Sequence, residues 1–172
     1  MFTTFSLLKS KDLTVAEKRE FDKLLTSYAG TKEGAWLNRI PWQACVIKWC
    51  PAMTQNSGVM GAFVPWFGEK VFLMQADAPA MPGVRDPWPS LIASTLVHEL
   101  RHLWQFKRHP LLYVLFCLPV LRGFTLERDA WAQTKPAQDF FDALERLRSA
   151  SEFAAATLEQ REVADPAPLN QE

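Results

Sequence analysis

Val97-His98-Glu99-Leu100-Arg101-His102-Leu103-Trp104 is the stretch on which the reading of this chain turns. Two histidines stand four residues apart, with a glutamate directly after the first. On a helix, residues four apart lie about one turn apart on one face. His98 and His102 can therefore aim ring nitrogens at one ion. Zinc suits such a pair, because it takes nitrogen and oxygen ligands tetrahedrally and keeps one position for water in catalytic sites. Glu99 is rotated about a quarter turn from His98 at roughly 100° per residue. It is poorly placed as a co-ligand but can reach a water held by the metal. The metal acidifies that water, and Glu99 takes its proton as the water attacks a carbonyl. The expectation is one Zn2+ per chain, with Glu99 as the general base.

The surrounding sequence supplies the helix. Apolar residues recur from about Trp88 to Lys107; Pro89 is tolerated in a first turn, and Pro110 ends the run. On a helical wheel Ala93, Leu96, Val97, Leu100, Leu103 and Trp104 fill one apolar arc. His98 and His102 fall opposite, near Ser94 and Gln105. They do not fill the core stripe, and a cleft on that side would explain their placement.

Two histidines leave a catalytic zinc one protein ligand short. His109, the remaining histidine of three, sits seven residues after His102. That is about 10 Å along a helix axis, too far to share the ion. The remaining supply is a carboxylate. The first acid after Glu99 is Glu127, in Thr125-Leu126-Glu127-Arg128-Asp129-Ala130-Trp131. Asp129 is its nearest competitor, and an exposed helix-start carboxylate favoured by the helix dipole is the other way to read Glu127. Asp139, Asp142 and Glu145 belong to a later, more polar segment and read as surface charge.

His98-Glu-Leu-Arg-His102 followed by Glu127 on a second helix resembles the gluzincins, zinc peptidases whose ligands are two histidines and a glutamate. The small size and the helix, three-strand and active-helix order are similar to the minimal single-domain members of that group, and the resemblance covers roughly Trp42 to Trp131. The resemblance implies a zincin-like fold and metallopeptidase activity, with His98, His102 and Glu127 as metal ligands and Glu99 as catalytic base. It also implies an oxyanion-stabilising His or Tyr, for which Tyr113, His109 and Arg122 are candidates by position. A substrate peptide would add to an edge strand of the sheet, and Lys70 to Gln75, just before the active helix, is placed to serve.

Along the rest of the chain, Thr14 to Tyr28 reads as a helix with a Thr14–Glu17 capping box. Three strand-like pieces follow, Trp42 to Trp49, Val59 to Trp66 and Lys70 to Gln75. Phe67-Gly68-Glu69 joins the last two as a hairpin turn. The proline-rich stretch Asp77 to Pro89 is a loop. Beyond the active helix lie the apolar run Leu111 to Leu121, a break at Arg122-Gly123, a helix from about Thr125 and another from about Pro136 to Gln160. The order predicts an α+β fold, with a small, mostly antiparallel three-stranded sheet packed on a long active-site helix and further C-terminal helices.

The 172 residues fit one domain over residues 1–162, with a disordered tail from residue 163. Nineteen basic and nineteen acidic residues balance, so no nucleic acid is implied as a partner, and overall charge exerts no pull toward anionic lipid. Three cysteines at irregular spacing indicate no disulfide framework. The start, MFTTFSLLKSK, lacks the pattern of a secretory signal, which points to the cytoplasm. Leu111 to Leu121 is too short to cross a bilayer. It reads as a buried helix, with a wall over the site or a membrane-touching patch as alternatives. The function expected is a zinc hydrolase acting on a peptide or protein substrate. The rivals are a binding or structural protein with a degenerate or closed site, and a hydrolase of non-peptide amides.

Overall fold

A computed structural model describes residues 10–51, 60–65, 68–74, 88–116 and 126–164. In chain order the described elements are strand β1 (Lys11–Asp12), helix α1 (Val15–Ala29), two short 3-10 turns (Ala35–Arg39 and Trp42–Ala44), and strands β2 (Val46–Cys50), β3 (Gly61–Val64) and β4 (Lys70–Met74). Helices α2 (Trp88–Arg108), α3 (Pro110–Phe116) and α4 (Leu126–Ala164) follow.

The N-terminus of α1 forms as its sequence predicts. The Thr14 hydroxyl accepts from the Glu17 backbone N–H at 3.2 Å, and the Glu17 carboxylate accepts from the Thr14 N–H at 2.7 Å. Each satisfies a donor or acceptor that the first turn would leave unpaired. Glu17 also accepts from the Trp49 indole at 3.2 Å, which ties the cap to β2. Phe21, Leu24, Leu25 and Tyr28 turn the other face of α1 into the core.

The α+β class holds, but the sheet is mixed and has four strands. Its order is β1-β2-β4-β3; β2 and β4 run parallel, and the two outer pairings are antiparallel. Two residues carry no periodicity, so β1 leaves no sequence signature; it is held by its ladder and by a Lys48–Asp12 ion pair at 2.7 Å. Trp42 to Ala44 coil into a 3-10 turn, so the strand begins only at Val46. Among the described strands Lys70 to Met74 is interior and β3 is at an edge, so Lys70 to Met74 is not open to a substrate, and Gln75 lies outside the described residues. Of the expected turn, Gly68 and Glu69 both adopt positive φ, 97° and 51°.

The C-terminal half also differs from expectation. One helix, α4, replaces the two expected, and Pro136 lies inside it. A proline within a helix loses a hydrogen bond and costs about 3 kcal/mol. Here Ala132, whose carbonyl is released, is exposed, so water can satisfy it. The inward face continues across the proline: Ala130, Thr134, Ala137 and Phe141 are all buried. Burying a side chain the size of Phe141 contributes about 1.5–3 kcal/mol, comparable to the cost of the proline. Within the apolar run, α3 covers Pro110–Phe116, and Leu111 is exposed rather than buried. The Asp77 to Pro87 loop, the Arg122-Gly123 break and residues 165–172 of the expected tail lie outside the described residues, while residues 163 and 164 end α4. No helix among the described residues is long and apolar enough to cross a membrane.

The capping box gives a measurable pH dependence. Partial burial raises the Glu17 carboxyl, but hydrogen bonds from the Thr14 N–H, the Thr14 hydroxyl and Trp49 outweigh it and leave the pKa below its ordinary value. A group depressed in the folded state stabilises above its unfolded pKa, and loses that contribution as pH falls through the folded value. Thr14→Ala is expected to cost about 1 kcal/mol in urea unfolding near neutral pH. The gap between variant and parent should shrink as pH drops toward the depressed Glu17 value; a gap independent of pH would assign the cost to something other than the box.

Candidate metal centre

Helices α2 and α4 make the most extensive contact in the molecule, and the site lies between them. The apolar stripe of α2 is buried, and its polar face is buried too: Ser94, His98, His102 and Gln105 are all below one-tenth exposed. The wheel placed the histidines off the core stripe, and α4 is what they face. One helical turn separates them, and their rings meet edge to face with centroids 4.9 Å apart.

Glu127, in the first turn of α4, brings its carboxylate across both. One oxygen lies 3.3 Å from His98 Nε2 and the other 3.6 Å from His102 Nε2. One ligand atom from each of the three residues can be chosen so that all lie within 4.8 Å of one another. Asp129, the competitor, is drawn elsewhere. It accepts two hydrogen bonds from Arg101, at 2.7 and 2.9 Å, and a third from Gln105 at 2.8 Å. Burial raises the Asp129 carboxyl, but Arg101 and Gln105 outweigh it and hold its pKa below the ordinary value.

The outer hydrogen bonds fix where the ring protons sit. The Thr134 hydroxyl donates its one proton to the Ala130 carbonyl at 2.9 Å, so it must accept from His98 Nδ1, 3.0 Å away. Gln105 Nε2 donates to the Leu126 carbonyl at 3.0 Å and to Asp129, which leaves its amide oxygen to accept from His102 Nδ1 at 2.8 Å. Both rings thus spend a proton on Nδ1 and, when neutral, turn a bare Nε2 lone pair toward a carboxylate that carries only acceptors. With both rings neutral, three acceptors converge there. A cation at that point satisfies all three. Protons alone would have to fill both ring–carboxylate contacts at once. The side chains present fit a metal ion, and His98, His102 and Glu127 are the residues that could hold it.

Glu99 stands beside this set without joining it. It is buried and accepts a hydrogen bond from the Phe63 backbone N–H of β3. Desolvation raises its pKa, the two histidines oppose that, and the net is a carboxyl above its ordinary value. The strand can reach it because residue 61 is glycine. A Cβ there would stand 2.8 Å from the Glu99 carboxylate and 2.8 Å from the Thr95 methyl. A cleft of about 350 Å³ opens over the site. His98, Glu99, His102 and Glu127 form its charged or polar floor, with Met60, Leu91 and Trp131 as apolar walls.

The structure therefore brings together His98, Glu99, His102 and Glu127, and places neither Tyr113 nor His109 in the cleft lining. Tyr113 is buried with its ring 6.2 Å from that of His102 and is not part of the cleft lining. His109 is exposed at the end of α2, and Arg122 lies outside the described residues. Sequence reasoning missed Thr134, Gln105 and Gly61. Gln105 carried a signal, since it stands three residues from His102 on the same face. Thr134 stands seven residues, or two turns, beyond Glu127. Comparison with protein-family models, with curated proteins and with solved structures finds no match for this chain.

Two substitutions test this geometry. Gly61→Ala should destabilise the fold by about 1–3 kcal/mol, as overpacking does; a neutral result in urea titration would mean the strand does not hold Glu99 as described. Thr134→Val removes the acceptor for His98 Nδ1–H and should weaken metal affinity by roughly 10–100-fold, measured by chelator competition. Unchanged affinity would show that Thr134 does not orient the ring.

Proposed function

We propose that this protein is a zinc-dependent hydrolase, most simply a gluzincin-like metallopeptidase. The observation that carries the reading is the meeting of three acceptor atoms at one point, with a fourth carboxylate, Glu99, in the same cleft. The donor set supports zinc. Two ring nitrogens and a carboxylate suit that metal, and one ligand atom from each of the three residues lies within 4.8 Å of the others.

Zinc, when bound, supplies Lewis acidity that polarises a carbonyl and acidifies a water. The chain's own groups do the rest. His98, His102 and Glu127 hold the ion, and Thr134 and Gln105 keep the ring lone pairs aimed at it. Glu99 removes the proton of the attacking water and returns it to the leaving amine; its raised pKa makes it a better base than an ordinary carboxylate. The Phe63 N–H keeps that carboxylate pointed at the cleft.

The edge strand supports a peptide as substrate. The Met74 N–H donates to the Met60 carbonyl at 2.8 Å, so residues 60, 62 and 64 face β4 with their backbone groups. Gly61 and Phe63 then direct theirs outward beside the cleft. The Gly61 N–H and C=O are available to an extended chain laid along β3, as in recognition by strand addition.

A second reading has one observation in its favour. Glu99 is buried and already hydrogen-bonded, as in a closed site that binds metal without turning over. The experiment separates the two. Purified protein should hold one zinc ion per chain, lost in His98→Ala and Glu127→Ala and kept in Glu99→Gln. Hydrolysis in a broad peptide screen should fall at least a hundredfold in Glu99→Gln, within the range for losing a general base. A chain that takes up no metal defeats both readings. A metal-loaded chain with no hydrolysis that Glu99→Gln abolishes leaves the closed site.

A further inference from the structure

Past the metal centre, the apolar stripe of α2 outruns its cover. Leu96, Leu100 and Leu103 are fully buried. At about 100° per residue, Trp104, Lys107, Leu111 and Val114 fall in the same sector. The helical path carries through the junction with α3: the His109 N–H donates to the Gln105 carbonyl at 3.0 Å, and the Tyr113 N–H to the His109 carbonyl at 2.8 Å. From Lys107 onward the sector is open. Leu111 is 85% exposed and Val114 is 41% exposed. The opposite face of α3 is spent inward, where Tyr113 is buried against Phe63 and Phe106. A short helix with both faces apolar thus presents one of them to solvent.

Cations gather beside it. Arg39, Lys107 and Arg108 line a groove of about 280 Å³ with Trp104 and Ile40, and no carboxylate is among the lining residues. The Arg108 guanidinium lies 5.0 Å from the Trp104 ring centre, and Lys107 pairs with Glu69. In a chain of zero net charge, this is a local asymmetry. Exposed leucine and valine next to an indole and two arginines is the combination that seats helices in a membrane interface. Either signal alone is weak: two side chains make a marginal anchor, and exposed cations are screened by salt. Together they complement a surface that is anionic outside and apolar beneath.

We propose that this face docks on an anionic lipid surface, with Leu111 and Val114 entering the boundary between headgroups and acyl chains and Arg39 and Arg108 meeting lipid phosphates. His98 and His102 lie on the other side of α2, so the cleft stays open to water while the protein is docked.

The test is partitioning of the full chain onto vesicles of phosphatidylcholine alone, or with about a third phosphatidylserine, at low and high salt. Binding is expected to the serine-containing vesicles and to weaken with salt. Arg39→Gln with Arg108→Gln should lower the partition coefficient roughly 30-fold at low salt. Leu111→Ser should lower it about tenfold at either salt. All three side chains are exposed and outside the metal centre, and circular dichroism checks that the variants stay folded. Absence of partitioning at low salt overturns the proposal, as does equal partitioning of parent and variants. Titration with inorganic phosphate separates the remaining source: phosphate held by the groove, without vesicle binding, makes the site one for a soluble anion and overturns the membrane reading.

Discussion

Three acceptor atoms share one small space between α2 and α4, and the surrounding structure is arranged around that constraint. A buried lone pair facing another acceptor is costly. It persists here because Thr134 and Gln105 hold the two ring protons on the outer nitrogens. The Thr134 bond, together with the bonds Gln105 donates to the Leu126 carbonyl and Asp129, ties α2 to α4, so the packing of the helices and the aim of the rings are one property. Arg101 reinforces the junction through its two bonds to Asp129, and its guanidinium stacks 3.9 Å from the centre of the Trp104 ring. A charged residue inside the motif therefore braces α2 against the same helix that the histidines face.

The sheet enters through one strand. β3 is short, lies at an edge and runs beside α2, and its glycine allows contact that any side chain would block. This arrangement buries Glu99 without leaving it unpaired, because the Phe63 N–H meets it. Burial then makes the carboxyl more basic, while the bond keeps it from turning away. The cleft above is closed on its other side by Trp131, whose ring stands 4.9 Å from that of His98 although the side chain is 56% exposed.

What the sequence made legible was local. The four-residue spacing of His98 and His102, the apolar arc of α2 and the Thr14–Glu17 box each depend on residues within a turn or two. Glu127 could be found by elimination, since no other acid lies between Glu99 and it. The remainder required tertiary information. Nothing in β2 or β4 announces that they pair in parallel with β3 displaced to the edge. Pro136 reads as a helix start by propensity, yet the buried face from Ala130 to Phe141 carries one helix through it. Thr134 looked like any polar residue until α4 was set against α2. Leu111 belongs to a run that reads as core by composition, and the structure turns it outward.

The division of labour between the helices and the strand has a further meaning. The three ligand residues, the residues that orient them and the Arg101–Asp129 brace all fall between residues 98 and 134, on two helices. On the proposed function, holding an ion would thus be a local capacity of a helical pair. Aligning the base is delegated to a separate, non-local element that contributes a backbone N–H and the lack of a side chain. The two capacities can be lost independently. On the proposed function, a side chain at residue 61 would disturb Glu99 and leave the His98–His102–Glu127 trio and the most recognisable motif untouched.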